Sequence, residues 1–131
     1  PEGSFNKKKN HYFLNTGKIN NIARIKVNGR EAGILWTDPW ELDITSFIKK
    51  KDNLLEIEVA NLWINRLIGD EQEPWDGIEG GHWPAWLESG SPRPTNRIAF
   101  TTHRFWKKDD PLVPSGLTGP VKIVKLPVKT K

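Results

Sequence analysis

The feature that most restricts what this chain can fold into is the segment IARIKVNGREAGILW, residues 22–36. Ala23, Ile25 and Val27 alternate with Arg24 and Lys26, so an extended backbone would have one apolar and one charged face. Asn28 and Gly29 then supply two residues that tolerate positive φ, as the tightest β-hairpin turns require. An antiparallel pair is predicted here, with Gly33 to Trp36 as the returning strand. Such a pair must bury its apolar face against another layer.

The chain on either side of the excursion described next continues in the same idiom. Thr37-Asp38-Pro39 breaks the return strand, and WELDIT alternates again with Trp40, Leu42 and Ile44 on one face. Thr45 or Ser46 can cap a short turn through Ile48, and KKKDN is a polar turn. The strand predicted over Leu54 to Asn61 turns Leu55, Ile57 and Val59 inward and Glu56 and Glu58 outward. There the pattern stops: EQEPWDGIEGGHWPAWLESGSPRP is a long, turn-rich excursion without a period. Loops of this length in compact domains are usually functional or disordered, and Trp75, Trp83 and Trp86 argue against disorder. RIAFTTHRFW reads as a strand with Ile98 and Phe100 inward, KKDDPLVPSGLTGP as a loop, and VKIVKL as a last strand. With no repeat, heptad or long amphipathic helix, the expected class is all-β, an antiparallel β-sandwich of the jelly-roll type.

At 131 residues the chain is expected to form one domain. No apolar run approaches the roughly 18 residues of a membrane-spanning helix, and PEGSFNKKKN lacks the apolar stretch of a signal peptide. The absence of Cys excludes thiolate zinc sites and a Cys nucleophile. A chain without Met that opens on Pro1 is read as a piece of a longer polypeptide. The net charge of +4 owes much to Lys7 to Lys9 and to Lys125, Lys129 and Lys131. Solvated, flexible ends explain it better than a nucleic-acid footprint.

Catalytic chemistry finds little support. A glycosidase needs two carboxylates held roughly 5 to 10 Å apart across a sugar. Asp70, Glu71, Asp76 and Glu79 are the acids to consider, and solvated loop positions account for them more simply. His11, His82 and His103 are scattered, without a metal-binding interval, and GIEGG lacks the Lys and the strand-to-helix setting of a phosphate loop. No catalytic residue and no metal ligand is assigned. A sugar site instead wants an aromatic platform flanked by amides, carboxylates and Arg. Asn65, Arg66, Asp70, Trp75, His82 and Trp83 are the sugar-binding candidates. Trp36, Trp40 and Trp63 are expected in the core, whereas Trp75, Trp83, Trp86 and Trp106 lie in loops. For Arg66 and Asp70 a structural hydrogen-bond network is the first reading, and Asn65 and the loop tryptophans are the better ligand candidates.

The segments NLW-x-NRLIGDE and KKDDPL-x-PSGL-x-GPV, set among the strands above, resemble the galactose-binding-like β-sandwich carried by large bacterial glycoside hydrolases. The likeness is strongest to the C-terminal domain of family 106 α-L-rhamnosidases and looser to the family 2 sugar-binding domain. It covers residues 12–126, leaving 1–11 as a flexible segment and 127–131 as a tail. It implies a jelly roll, a multidomain parent acting on plant or host polysaccharide in the periplasm or at the cell surface, and a catalytic domain as intramolecular partner. No nucleic acid, membrane or cofactor is implied, although similar sandwiches often hold a structural calcium. Related domains carry another strand or two before the position of Tyr12. Either this sandwich is short of its first strands, with an exposed edge, or the N-terminal segment replaces them.

Overall fold

The computed structural model describes residues 5–128. They form two compact units, one made by the chain up to Asn61 and from Pro114 onward, the other by Leu62–Val113. The first unit is an antiparallel β-sandwich, as expected. Strands β1 (Asn10–Asn15), β5 (Glu41–Asp43) and β8 (Lys122–Pro127) form one sheet in the order β5-β1-β8. Strands β3 (Ile22–Val27), β4 (Arg30–Leu35) and β6 (Leu55–Ala60) form another in the order β4-β3-β6, and β2 (Lys18–Asn20) pairs with β7 (Gly116–Gly119). The strands reach Asn10 and Pro127, beyond the 12–126 bounds drawn from the sequence.

The alternation in β3 is what the core is built on. Ala23, Ile25 and Val27 are buried against Tyr12 and Leu14 of β1, Ile19 of β2, and Ile44 and Ile48 after β5. Asn28 and Gly29 adopt φ of 54° and 76°, the turn their sequence predicts. Asn28 also ties this turn to the next one, since its Nδ2 donates to the Phe47 carbonyl and its Oδ1 accepts from the Leu54 amide. Gly17, at φ +64°, packs so closely on the Gly119 backbone that a Cβ would overlap it. Among the described residues no strand precedes β1. Residues 7–9 form a turn, and Phe5 packs on the Tyr12 ring. Among the described residues β8 is an edge strand, with Ile123 and Leu126 exposed.

Two expectations about tryptophan are corrected. Trp36 is 69% exposed, just past the end of β4, and Trp63 is 62% exposed at the start of a helix; of the three, Trp40 alone packs against the core. Their strand-end positions suggested burial, but neither belongs to the alternating inward row.

The second unit has no strand among its named elements. It contains α1 (Ile64–Asp70) and a single turn of helix, α2 (Ala85–Glu88). The strand predicted from RIAFTTHRFW is absent, and Ile98 is 62% exposed rather than inward. The cause is local. The amides of Ile98 and Ala99, which a strand would offer to a neighbour, donate to the Asp70 carboxylate instead.

Candidate functional site

The stretch from Asn61 to Gln72 is bonded to parts of the chain distant in sequence, one polar residue at a time. Asn61 Oδ1 accepts from the Gly116 amide. Asn65 bonds Val113 in both directions, donating to its carbonyl and accepting from its amide, each at 2.9 Å. Asp70, 1% exposed, takes the Ile98 and Ala99 amides and pairs with Arg66 one helical turn earlier. Glu71 accepts from Arg97 and Arg104, and Gln72 donates to the Lys108 carbonyl. Helix α1 supplies the rail, with Ile68 and Asp70 as its buried residues.

A second set of ion pairs continues the frame. The Asp76 carboxylate receives Arg93 through Nε and Nη2 at 2.6 and 2.8 Å, with the Thr95 hydroxyl on the same group. Arg97, its side chain 3% exposed, lies between Glu71 and Asp76. The Arg93 hydrogen bonds, chiefly, hold Asp76 below the ordinary carboxylate range against the opposing effect of burial. For Glu71 burial pushes the pKa up, yet hydrogen bonds and charge from Arg97 and Arg104 together prevail and lower it. Neither acid is poised to donate a proton near neutrality.

Over this frame lies an open cleft of about 360 Å³ whose walls include Trp75, Glu79, His82, Trp83 and Trp86. Gly80 and Gly81, at φ of 56° and 82°, make a two-residue turn, and the backbones of Glu79 and His82 pair across it. Paired opposite residues project to the same side, so the carboxylate and the imidazole leave the turn on one side of it. Trp83 is half exposed; its ring stacks on Phe100 at 6.0 Å and 14°. Trp75 is committed differently: its Nε1 donates to the Ile78 carbonyl, and the Arg97 and Arg104 guanidinium groups lie 5.0 and 5.5 Å from its ring centre. Gly77 is required beside it, because a Cβ there would meet the Trp75 ring and the Thr101 carbonyl. Trp86 donates its Nε1 to the Asp76 carbonyl and meets Phe100 edge-on.

Of the six sugar-site candidates, the structure brings Trp75, His82 and Trp83 to one cleft. It places Asn65, Arg66 and Asp70 in the hydrogen-bond frame instead. The arrangement adds Glu79, which the sequence offered only as a catalytic acid, and Trp86, one of the loop tryptophans outside the six. The signal for Glu79 was present: a Gly-Gly pair between two candidate residues marks a tight hairpin, whereas the glycines were weighed only as a phosphate loop. Among the described residues no group of three His, Asp or Glu is placed to hold a metal ion, and no helix is long and apolar enough to cross a membrane.

The sandwich with its irregular insert has counterparts in larger enzymes. The chain is similar to a stretch of a rhamnosidase from Novosphingobium sp. PP1Y, with a TM-score of 0.69 and 34% identity, covering 89% of this chain and 9% of that one. It is also 43% identical over 121 residues to a protein of Formosa agariphila named "putative beta-glucuronidase", covering 89% of this chain and 10% of that protein. No family model matches. The chain thus spans about a tenth of each of these relatives and matches a domain-sized part of them.

Proposed function

We propose that this chain is a noncatalytic carbohydrate-associated module of a larger, exported glycoside hydrolase, and that it contacts saccharide through the cleft walled by Trp75, Trp83 and Trp86. The observation that carries the reading is the half-exposed Trp83 plate beside the paired Glu79 and His82. An indole face takes the C–H face of a pyranose, while a carboxylate and an imidazole at the rim serve hydroxyl groups. That both similar enzymes are named for glycosidase activities supports the same reading. A contributed catalytic carboxylate is less well supported, since Asp70 is inaccessible and Glu71 is held by two guanidinium groups.

A shallow, open site gives weak binding, because desolvating hydroxyls offsets much of the stacking gain. A dissociation constant no tighter than roughly 0.1 mM is expected. Trp83→Ala should abolish the tryptophan fluorescence response to rhamnose, galactose or pectic oligosaccharides while shifting stability by no more than about 0.5 kcal/mol. Trp75→Ala is the poorer probe, as that ring also packs on two guanidinium groups. Silence of the unmodified chain toward all of these sugars would defeat the reading. It would leave a docking role, which the exposed indoles of Trp36 and Trp63 favour.

A further inference from the structure

Beside the frame of the second unit lies a separate open pocket of about 500 Å³, lined by Glu71, Arg104, Trp106, Lys107, Lys108 and Asp109. We infer that this pocket binds an anionic group carried on a sugar, either a uronate carboxylate or a sulfate ester, with Trp106 as the apolar plate. The inference rests on the module reading for its saccharide, though not on the Trp83 cleft.

Charge carries the argument. Glu71, the deepest acid of the wall, is already matched by the buried Arg97, and Arg104 places Nε and Nη2 on the same Glu71 Oε2. That leaves Nη1 of a half-exposed guanidinium without a hydrogen-bond partner among the described residues. Lys107 and Lys108 are exposed, and neither ammonium has an ion-pair partner among the described residues. Asp109 is the remaining carboxylate of the lining, so the pocket is net cationic. The frame also fixes its shape. The Lys107 amide is held by Asp110, and the Lys108 carbonyl by Gln72, so the two ammonium groups spring from a pinned backbone.

A cationic rim alone would take any small anion. Trp106, partly buried within the same lining, adds a face on which a pyranose ring can stack. An anionic sugar can use both elements, whereas a neutral sugar forgoes the charge-assisted hydrogen bonds and a bare anion forgoes the plate. The Trp83 cleft differs in sign, because its rim acid, Glu79, has no ion-pair partner among the described residues and disfavours anions.

The test is a titration of the 131-residue chain, followed by amide and indole N–H resonances, with methyl β-glucuronide, glucose 6-sulfate, methyl β-glucoside and inorganic sulfate. The glucuronide or the sulfate ester should shift the Trp106 indole and the Lys107 and Lys108 amides, and whichever is stronger identifies the group. The glucoside should leave these signals in place. K107E/K108E should weaken the response by roughly tenfold or more, the effect of losing hydrogen bonds to charged groups, and Lys107→Gln with Lys108→Gln should weaken it in the same direction. Trp83 is read separately, so its silence would defeat the cleft and not this pocket. Equal shifts of Trp106 by the neutral glucoside, shifts by inorganic sulfate matching those of the sugars, no response to either anionic sugar, or unchanged binding in the variants would each overturn the inference.

Discussion

The sandwich and its insert differ in what they bury. In the sandwich the deepest side chains are Leu14, Ile19, Ile25, Val27 and Ile44, with Thr16 the polar exception. In the insert the buried side chains are Ile68, Asp70, Glu71, Asp76 and Arg97, so four of the five carry charge. An apolar core is forgiving in direction and sensitive to volume. A buried ionic frame is the reverse, because each group has been desolvated on condition that its partner is in place. The Trp-rich surface of the insert is consequently held by bonds that specify geometry, while the sandwich is held by area.

The largest expected effect tests that contrast directly. Arg97→Ala removes the partner shared by Glu71 and Asp76 and should cost roughly 3 to 5 kcal/mol of the insert's stability, with faster hydrogen exchange at the Ile98 and Ala99 amides. Leu14→Ala should cost a similar or slightly smaller amount, about 2 to 5 kcal/mol, with exchange rising first along β1 and β8. If Arg97→Ala moved a denaturant midpoint no more than a surface change does, the frame would not be what holds the insert.

Acidification should separate the two regions next. Glu71 and Asp76 have folded pKa values below their unfolded ones, so their contribution is complete above the unfolded value near about 4 and is lost as pH falls through the lowered folded values. In the sandwich Asp43 is lowered too, partial desolvation being outweighed by hydrogen bonds from Thr45 and by His11, but its side chain is 44% exposed and its loss costs little. Five of the seven tryptophans belong to the insert. Their fluorescence should therefore change at a higher pH than the far-ultraviolet dichroism of the strands. Coincident transitions would mean that acid does not act through these pairs.

The smallest effect sharpens the comparison with identical chemistry in a different setting. Arg24 pairs with Glu31 and Glu58 on the solvent face of the β4-β3-β6 sheet, with all three side chains about half exposed. Arg24→Gln should change stability by no more than about 0.5 kcal/mol in urea melts. A value comparable to that of Arg97 would show that exposure does not set the worth of these pairs.

Legibility followed the same division. The Asn28-Gly29 hairpin and the strands around it were readable because burial there follows a period of two, which any alternation reports. The insert has no such period. Its burial is set by which carboxylate meets which guanidinium, and partners such as Asp70 and Ala99, or Glu71 and Arg104, are far apart in sequence. Ile98 illustrates the resulting error: apolar and spaced like a strand residue, it faces solvent because its amide is bonded to Asp70. The network reading of Arg66 and Asp70 came from the rule that buried polar groups need partners, but that rule could not name Ile98 and Ala99 as the amides that Asp70 accepts from. Trp75, His82 and Trp83 were collected by side-chain chemistry alone, and the turn that brings Glu79 beside them was passed over.

The bond from the Gly116 amide to Asn61 Oδ1, at 2.6 Å, joins the residue just after β6 to the first residue of β7. Within the insert, the paired bonds between Asn65 and Val113 do the same for its own two ends. Each unit thus holds its own two chain ends together, and the closure entropy of a loop so tied grows only with the logarithm of its length. A short turn joining Asn61 to Gly116 should therefore leave the strand register of β6 and β7 intact, with the sandwich closed over its own ends.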